Sequence, residues 1–275
     1  MEHEPTPETN ITPNNKNESL ESKRKNFNTY LYYQGPAPQD YDEEDPPEGV
    51  SEIYYMSGDL SLKAWVSDDS LDGEKHPAVV YIHGGFAFGS PDWYDAEAYL
   101  DAGYVLMTPT LRGENGNPGN YELLYGEVAD AIAAGEYLKT LSYVDPKRIF
   151  LSGHSTGGGI AMLASMLPSP YKAIATFGAT CDNDVTFNNE WIDIVPFDFE
   201  NPFETDLRNP MTNLDSIQTP LYVYIGRQET GLLNESKSFV NAAKKLGKTC
   251  EFIQMKGDHF DSLYPAIKDS IKKFK

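Results

Sequence analysis

The stretch "IFLSGHSTGGGIAML", Ile149 to Leu163, places one serine in a burst of small residues between two apolar runs. Gly153, His154, Ser155, Thr156 and Gly157 fit the spacing GxSxG. Those three fixed residues recur by chance in roughly one chain in ten of this length, so the context must decide. "RIFL" before the motif reads as a strand and "GIAMLASML" after it as a helix. A serine on such a strand-turn-helix elbow projects beyond the sheet, and small neighbours suit the crowded, strained backbone there. The chemistry implied is nucleophilic attack on a carbonyl, next to a helix N-terminus that favours developing negative charge.

A serine hydroxyl needs a base. Of the five histidines, His3 lies in a polar N-terminal stretch and His76 in a polar loop. His83 ends an early strand, and His154 sits within the elbow with its side chain expected to point away from Ser155. His259, in "KGDHFDS" between the last strand and the last helix, remains as the base. A carboxylate must then orient the imidazole. Glu229 in "YIGRQETG" gives the chain order serine, acid, histidine, while Asp182 and Asp184, after the preceding strand, are rivals. Asp258 is too close in sequence to His259 to orient it easily. In "YIHGGFAFGS", Gly84, Gly85 and Phe86 form a loop whose backbone N–H groups could meet an oxyanion, and the Thr156 N–H would be a further donor.

These groups need a scaffold that brings several loops to one edge. "SEIYYMS" and "LSLKAWV", separated by Gly58 and Asp59, predict a hairpin. "PAVVYIH", "YVLMTPT", "RIFLSG", "AIATFGA", "LYVYIG" and "CEFIQM" read as buried parallel strands. Helical faces run through Val128, Ala131, Ile132 and Leu138, and through Phe239, Ala243 and Leu246 with Gly247 as C-cap. A last face runs through Leu263, Ile267, Ile271 and Phe274 behind Asp261 as N-cap. The expected architecture is α/β, a mainly parallel sheet with an N-terminal antiparallel hairpin and helices on both faces. Residues 1–28 are polar and aperiodic, which predicts a disordered tail. "GPAPQDYDEEDPPEG" reads as an extended lead-in, with compact structure beginning near Val50. Residues 182–216 lack a clean period and mix acids with Phe187, Trp191, Phe197, Phe199 and Phe203, which predicts a lid or cap insertion.

With these residues in place the chain resembles an α/β-hydrolase, most closely the catalytic domain of the prolyl oligopeptidase family. The resemblance runs from about Gln34 onward through "YIHGGFAFGS", "PTLRGENGNPG", "GHSTGG", "NPMTNLDSIQTPLYVYIG" and "GDHF". It implies that Ser155 is the nucleophile, that His259 is the base, and that Gly84, Gly85 and Thr156 belong to oxyanion-hole segments. It also implies that Arg112, in "LRGENGNPG", shapes the site without doing chemistry. The family favours Asp where this chain has Glu229, which keeps Asp182 and Asp184 in play. No stretch here matches the family's peptide-filtering propeller. The expected reaction is therefore hydrolysis of small or medium carboxylic esters, with short peptides or amides second and a non-catalytic binding protein third. No cofactor or metal is implied.

The net charge of -20 makes nucleic acid or an anionic membrane surface an unfavourable partner. Residues 182–208 alone carry eight acids against one base, which disfavours anionic substrates. The N-terminus shows no secretory signal and no run approaches a membrane span. Cys181 and Cys250 fall at opposite ends of strands that flank a third, too far apart to bridge. Free thiols and a missing signal predict a cytoplasmic home.

Overall fold

The computed structural model describes residues 18–274 apart from positions 71 and 190. The antiparallel hairpin of β1 (Val50–Ser57) and β2 (Leu60–Ser67) turns at Gly58, whose φ of +58° suits glycine. β3 (His76–Ile82), β4 (Val105–Pro109), β5 (Val144–His154), β6 (Ile174–Phe177), β7 (Leu221–Gly226) and β8 (Cys250–Met255) complete one sheet. Its strand order is β1-β2-β4-β3-β5-β6-β7-β8, and every pair from β4 to β8 is parallel.

Side chains alternate across each strand, so the sheet buries two separate cores. On β3, Val80 and Ile82 join the core under α4 (Gly126–Leu138), α5 (Thr156–Ala164) and α8 (Thr230–Lys245). Val79 and Tyr81 face the other way, toward α2 (Ser90–Asp95), α3 (Ala98–Asp101) and α9 (Leu263–Lys273). Helices therefore cover both faces, as a parallel sheet requires. Phe274 stacks on Phe150 with ring centroids 4.6 Å apart, which pins the end of α9 to the middle of the sheet. Gly247, at φ +73°, ends α8 in the left-handed conformation. The N-cap of α9 is Ser262, not Asp261, because the chain makes one more turn there, with the Ser262 N–H donating to the Asp258 carbonyl.

The expectation of a tail over residues 1–28 needs correction. Residues 1–17 lie outside the described residues, but α1 (Leu20–Asn26) is a helix docked on the domain. The Ser19 hydroxyl caps it by accepting from the Ser22 N–H, and Lys23, Arg24 and Lys25 suit its C-terminal end. Leu20 is fully buried and Arg24 donates to the carbonyls of Leu124, Tyr125 and Leu207. Compact structure likewise begins well before Val50. Leu31 bridges Phe197, the Tyr32 N–H donates to the Pro196 carbonyl, and Ala37 is buried with its N–H on the Gly113 carbonyl.

The segment 182–216 holds α6 (Asn183–Asn189), α7 (Pro202–Asp206) and a 3-10 helix (Pro210–Ser216). Phe187 and Phe197 turn into the core. Arg208 is fully buried, paired with Glu204 at 2.5 Å and lying 3.8 Å over the Phe197 ring. Both cysteines are free and buried. Among the described residues no helix is long and apolar enough to cross a membrane.

Candidate active site

Parallel register sets the ends of the central strands level. Ile82 pairs with Gly153, His154 with Phe177, Phe177 with Tyr224, and Gly226 with Met255. The loops after β3, β5, β6, β7 and β8 therefore meet at one sheet edge, where open α/β sheets place their sites.

Ser155 turns from β5 into α5 with φ +52° and ψ −117°, a conformation strained for any side chain. Its N–H donates to the Phe177 carbonyl at 2.8 Å, and its carbonyl accepts from the Gly159 N–H at 3.1 Å. The neighbouring glycines are sterically required. A Cβ on Gly153 would stand 2.2 Å from the Gly157 carbonyl oxygen, and one on Gly157 would stand 2.3 Å from the carbonyl oxygens of Ile82 and His83.

His259 Nδ1–H donates to Glu229 Oε1 at 2.7 Å, and Glu229 Oε2 accepts from the Gly226 N–H at 2.5 Å. With Nδ1 engaged, the imidazole offers Nε2. Asp258 shapes the histidine's loop by accepting from the N–H groups of Phe260 and Asp261, bonds that hold its carboxyl below the usual range. Asp182 instead accepts from the Asn209 amide at 2.8 Å. Asp184 sits in α6 with its carboxyl pushed up by burial and hydrogen-bonded to Asn209.

Ser155, Thr156, Gly85, Phe86 and His259 line one cavity of about 510 Å³. Gly84 packs beneath it, where a Cβ would meet the Ser155 Cβ at 3.3 Å. Thr156 opens α5, so its N–H has no partner within the helix. The Phe86 N–H donates to the Gln39 side-chain oxygen at 2.9 Å. Under this loop His83 is a two-way tie, Nδ1 meeting the Gly84 carbonyl at 2.9 Å and Nε2 meeting Glu114 at 3.1 Å. Burial opposes its charge, but the Glu114 charge and hydrogen bond outweigh burial and push its pKa up to about 9. His154, next to Ser155 in the chain, places its Nε2–H on the His259 carbonyl. Burial, then the nearby His259, lowers its pKa to about 4.

The resemblance implied that Arg112 shapes the site, whereas Leu124, Glu127 and Glu235 carry no signal in the local sequence. Arg112 grips the fully buried Asp130 through Nε and Nη2 and reaches Glu122 through Nη1. The next turn holds Leu123 and Leu124 at φ +50° and +67°, and Glu127 secures it by accepting from the N–H groups of Glu122, Leu123 and Tyr125. Leu124 is thereby set into the cavity wall. Glu235 reaches the cavity from the second turn of α8. Nothing in local sequence marks a left-handed leucine or an acid one turn inside a helix. Among the described residues no group of three His, Cys, Asp or Glu side chains is placed to hold a metal.

The sequence model of the prolyl oligopeptidase family matches residues 93–266. A probable dipeptidyl-peptidase 5 of Aspergillus terreus is 29% identical over 180 residues, covering 57% of this chain and 24% of the relative. The chain thus spans about a quarter of that protein's length. Among solved structures, an acylaminoacyl peptidase of Pyrococcus horikoshii superposes with a TM-score of 0.64 at 22% identity. That match covers 82% of this chain and 40% of the other. An esterase of Pyrococcus furiosus superposes at 0.66 and 18% identity, covering 89% of this chain and 96% of its own. At these identities the superpositions establish the α/β-hydrolase fold. The family match extends over more than half of the sequence and includes both the serine elbow and the histidine loop, so this chain belongs to the prolyl oligopeptidase family.

Proposed function

We propose that the protein is a serine hydrolase that transfers acyl groups to water, with carboxylic esters of small or medium size as its substrates. The observation that carries this reading is the 2.7 Å bond between His259 and Glu229, in the loops facing the elbow of Ser155. In the proposed cycle the substrate carbonyl enters the cavity and Ser155 Oγ attacks its carbon while His259 Nε2 takes the hydroxyl proton. Glu229 holds the tautomer and stabilises the imidazolium. The Thr156 N–H and the loop of Gly84, Gly85 and Phe86 receive the negative charge on oxygen, each donor contributing about 10²-fold to 10³-fold in rate. Collapse breaks the bond to the leaving group, which departs with the proton from His259. Water, deprotonated by the same imidazole, then cleaves the acyl-enzyme and restores Ser155.

The second reading is hydrolysis of short peptides or amides by the same steps. It is favoured by the names of the relatives, a dipeptidyl-peptidase and an acylaminoacyl peptidase. An ester is placed first because the structural neighbour of matching extent is an esterase and the cavity is of small-molecule size. The test is labelling with a serine-directed fluorophosphonate, then kcat/KM for p-nitrophenyl butyrate against alanyl p-nitroanilide. Absence of labelling in the wild type sinks the hydrolase reading. Labelling that survives Ser155→Ala sinks the nucleophile, and faster turnover of the anilide reverses the order of the two readings.

A further inference from the structure

We infer that the wall of this cavity built by α6, α8 and the loop after β6 is a subsite for a primary ammonium group, so that the preferred substrates carry a free amine on the acyl or leaving side. The inference rests on the hydrolase reading for the word substrate, but the subsite itself follows from side-chain chemistry.

Glu235 is fixed there by one carboxylate oxygen. Its Oε1 accepts from the Thr180 hydroxyl and the Asp182 N–H, each at 2.9 Å, and from the Cys181 N–H. Stitching α8 to the loop accounts for that oxygen alone. Among the described residues no hydrogen bond is made to Oε2, although Glu235 lines the cavity. Asn183 supplies a second, independent acceptor. It is fully buried and also lines the cavity, and its Nδ2 donates to the Arg208 carbonyl at 2.6 Å. That bond fixes the amide's orientation and leaves Oδ1 without a partner. A buried amide oxygen left unpaired is costly, and its natural complement is a donor brought by a ligand.

Both groups only accept, and one is anionic. No Lys or Arg is among the described residues lining the cavity, so no permanent positive charge of the wall opposes a cation. Glu229, another acid at this edge, has both oxygens committed to His259 and Gly226. An ammonium, with three donors and a positive charge, complements acceptors of this kind; a carboxylate or phosphate finds neither a donor nor a counter-charge from them. Trp191 and Phe86, 5.8 Å apart, add aromatic walls that tolerate a cation.

The test begins with binding, which requires no turnover. The full chain is titrated with n-hexylammonium and with n-hexanol at pH 6.5, read by tryptophan fluorescence, in wild type and in Glu235→Gln. The charge-assisted bonds predict binding of the ammonium about tenfold or more tighter than the alcohol in wild type, with the ratio falling toward one in Glu235→Gln. Equal binding in wild type overturns the subsite, and a ratio unchanged by Glu235→Gln overturns the assignment to Glu235. Kinetics with alanine 4-nitrobenzyl ester against its N-acetyl derivative should show the same preference in kcat/KM. In wild type that preference should decline as pH passes the amine pKa, about 8. This pH dependence needs no variant, and a flat ratio overturns the inference even if Glu235→Gln fails to fold. Fluorophosphonate labelling in the same samples reports the hydrolase reading separately, because the reagent carries no amine.

Discussion

The imidazole of His154 lies against that of His259, ring centroids 4.5 Å apart and planes inclined by 37°, while its Nε2–H donates to the His259 carbonyl at 3.1 Å. The residue preceding the elbow serine therefore supports the loop that carries His259. His154→Ala removes both contacts and should lower kcat by about tenfold to a hundredfold with little change in KM, as expected when a catalytic group is misplaced. His154→Phe, which keeps a ring but no N–H, should fall between.

His154 also sets an acid limit on stability. Its pKa is about 4 in the fold against 6.5 as an ordinary histidine, so its contribution is fully present above pH 6.5 and is lost as pH falls toward 4. Thermal unfolding of wild type and His154→Phe across that window should show the wild type losing more Tm on acidification.

Replacing Glu229 by Gln should lower kcat by up to about 10⁴-fold, because the amide no longer enforces the imidazole tautomer. Asp182→Asn and Asp184→Asn should each stay within about tenfold of wild type, since their partner is Asn209. Steady-state kinetics on one ester decides among the three; a larger loss at either aspartate would move the acid to that position.

The Phe86 N–H is occupied by Gln39 at 2.9 Å, a bond that a substrate oxyanion must displace if this group is to serve as a donor. Gln39 is exposed. Gln39→Ala should therefore raise kcat/KM about twofold to tenfold, the worth of one neutral hydrogen bond. A fall in kcat/KM would instead mean that Gln39 holds the loop in its working shape.

His83 sets the alkaline limit. Its pKa of about 9 exceeds the ordinary 6.5, so the charged form stabilises the fold fully below pH 6.5 and that stabilisation is lost as pH rises through about 9. The loss is on the order of 3 kcal/mol. His83→Gln can still donate to Glu114 without titrating, so its Tm should fall less than wild type between pH 7 and 9.5.

The sheet was legible because buried parallel strands are written as short apolar runs, and the serine elbow because only glycines fit where a Cβ would strike the Gly157 or Ile82 carbonyl. Chain order admitted Glu229, Asp182 and Asp184 alike, and only the fold sets Glu229 within 2.7 Å of His259. Other features are encoded at long range. α1 is seven residues long and buries one leucine, too little for a period to emerge, and its hold comes from Arg24 reaching carbonyls about a hundred or more positions away. Residue type alone favours Asp261 as the cap, yet the backbone turns once more before α9 begins. The aromatic and acidic run at 182–216 looked like one device. Its residues divide instead, Phe187 and Phe197 facing the core and Asn183, Thr186 and Trp191 facing the cavity.

The grip of Arg24 on the Leu124 carbonyl joins the first helix to a residue of the cavity wall that is itself held in a left-handed turn. A displacement of α1 would therefore act, through that bond, on the chamber beside Ser155. A bulky fusion, a cleavage within α1 or a neighbouring domain acting there would be felt as a change in the chamber's shape, although the two ends lie a hundred residues apart along the chain.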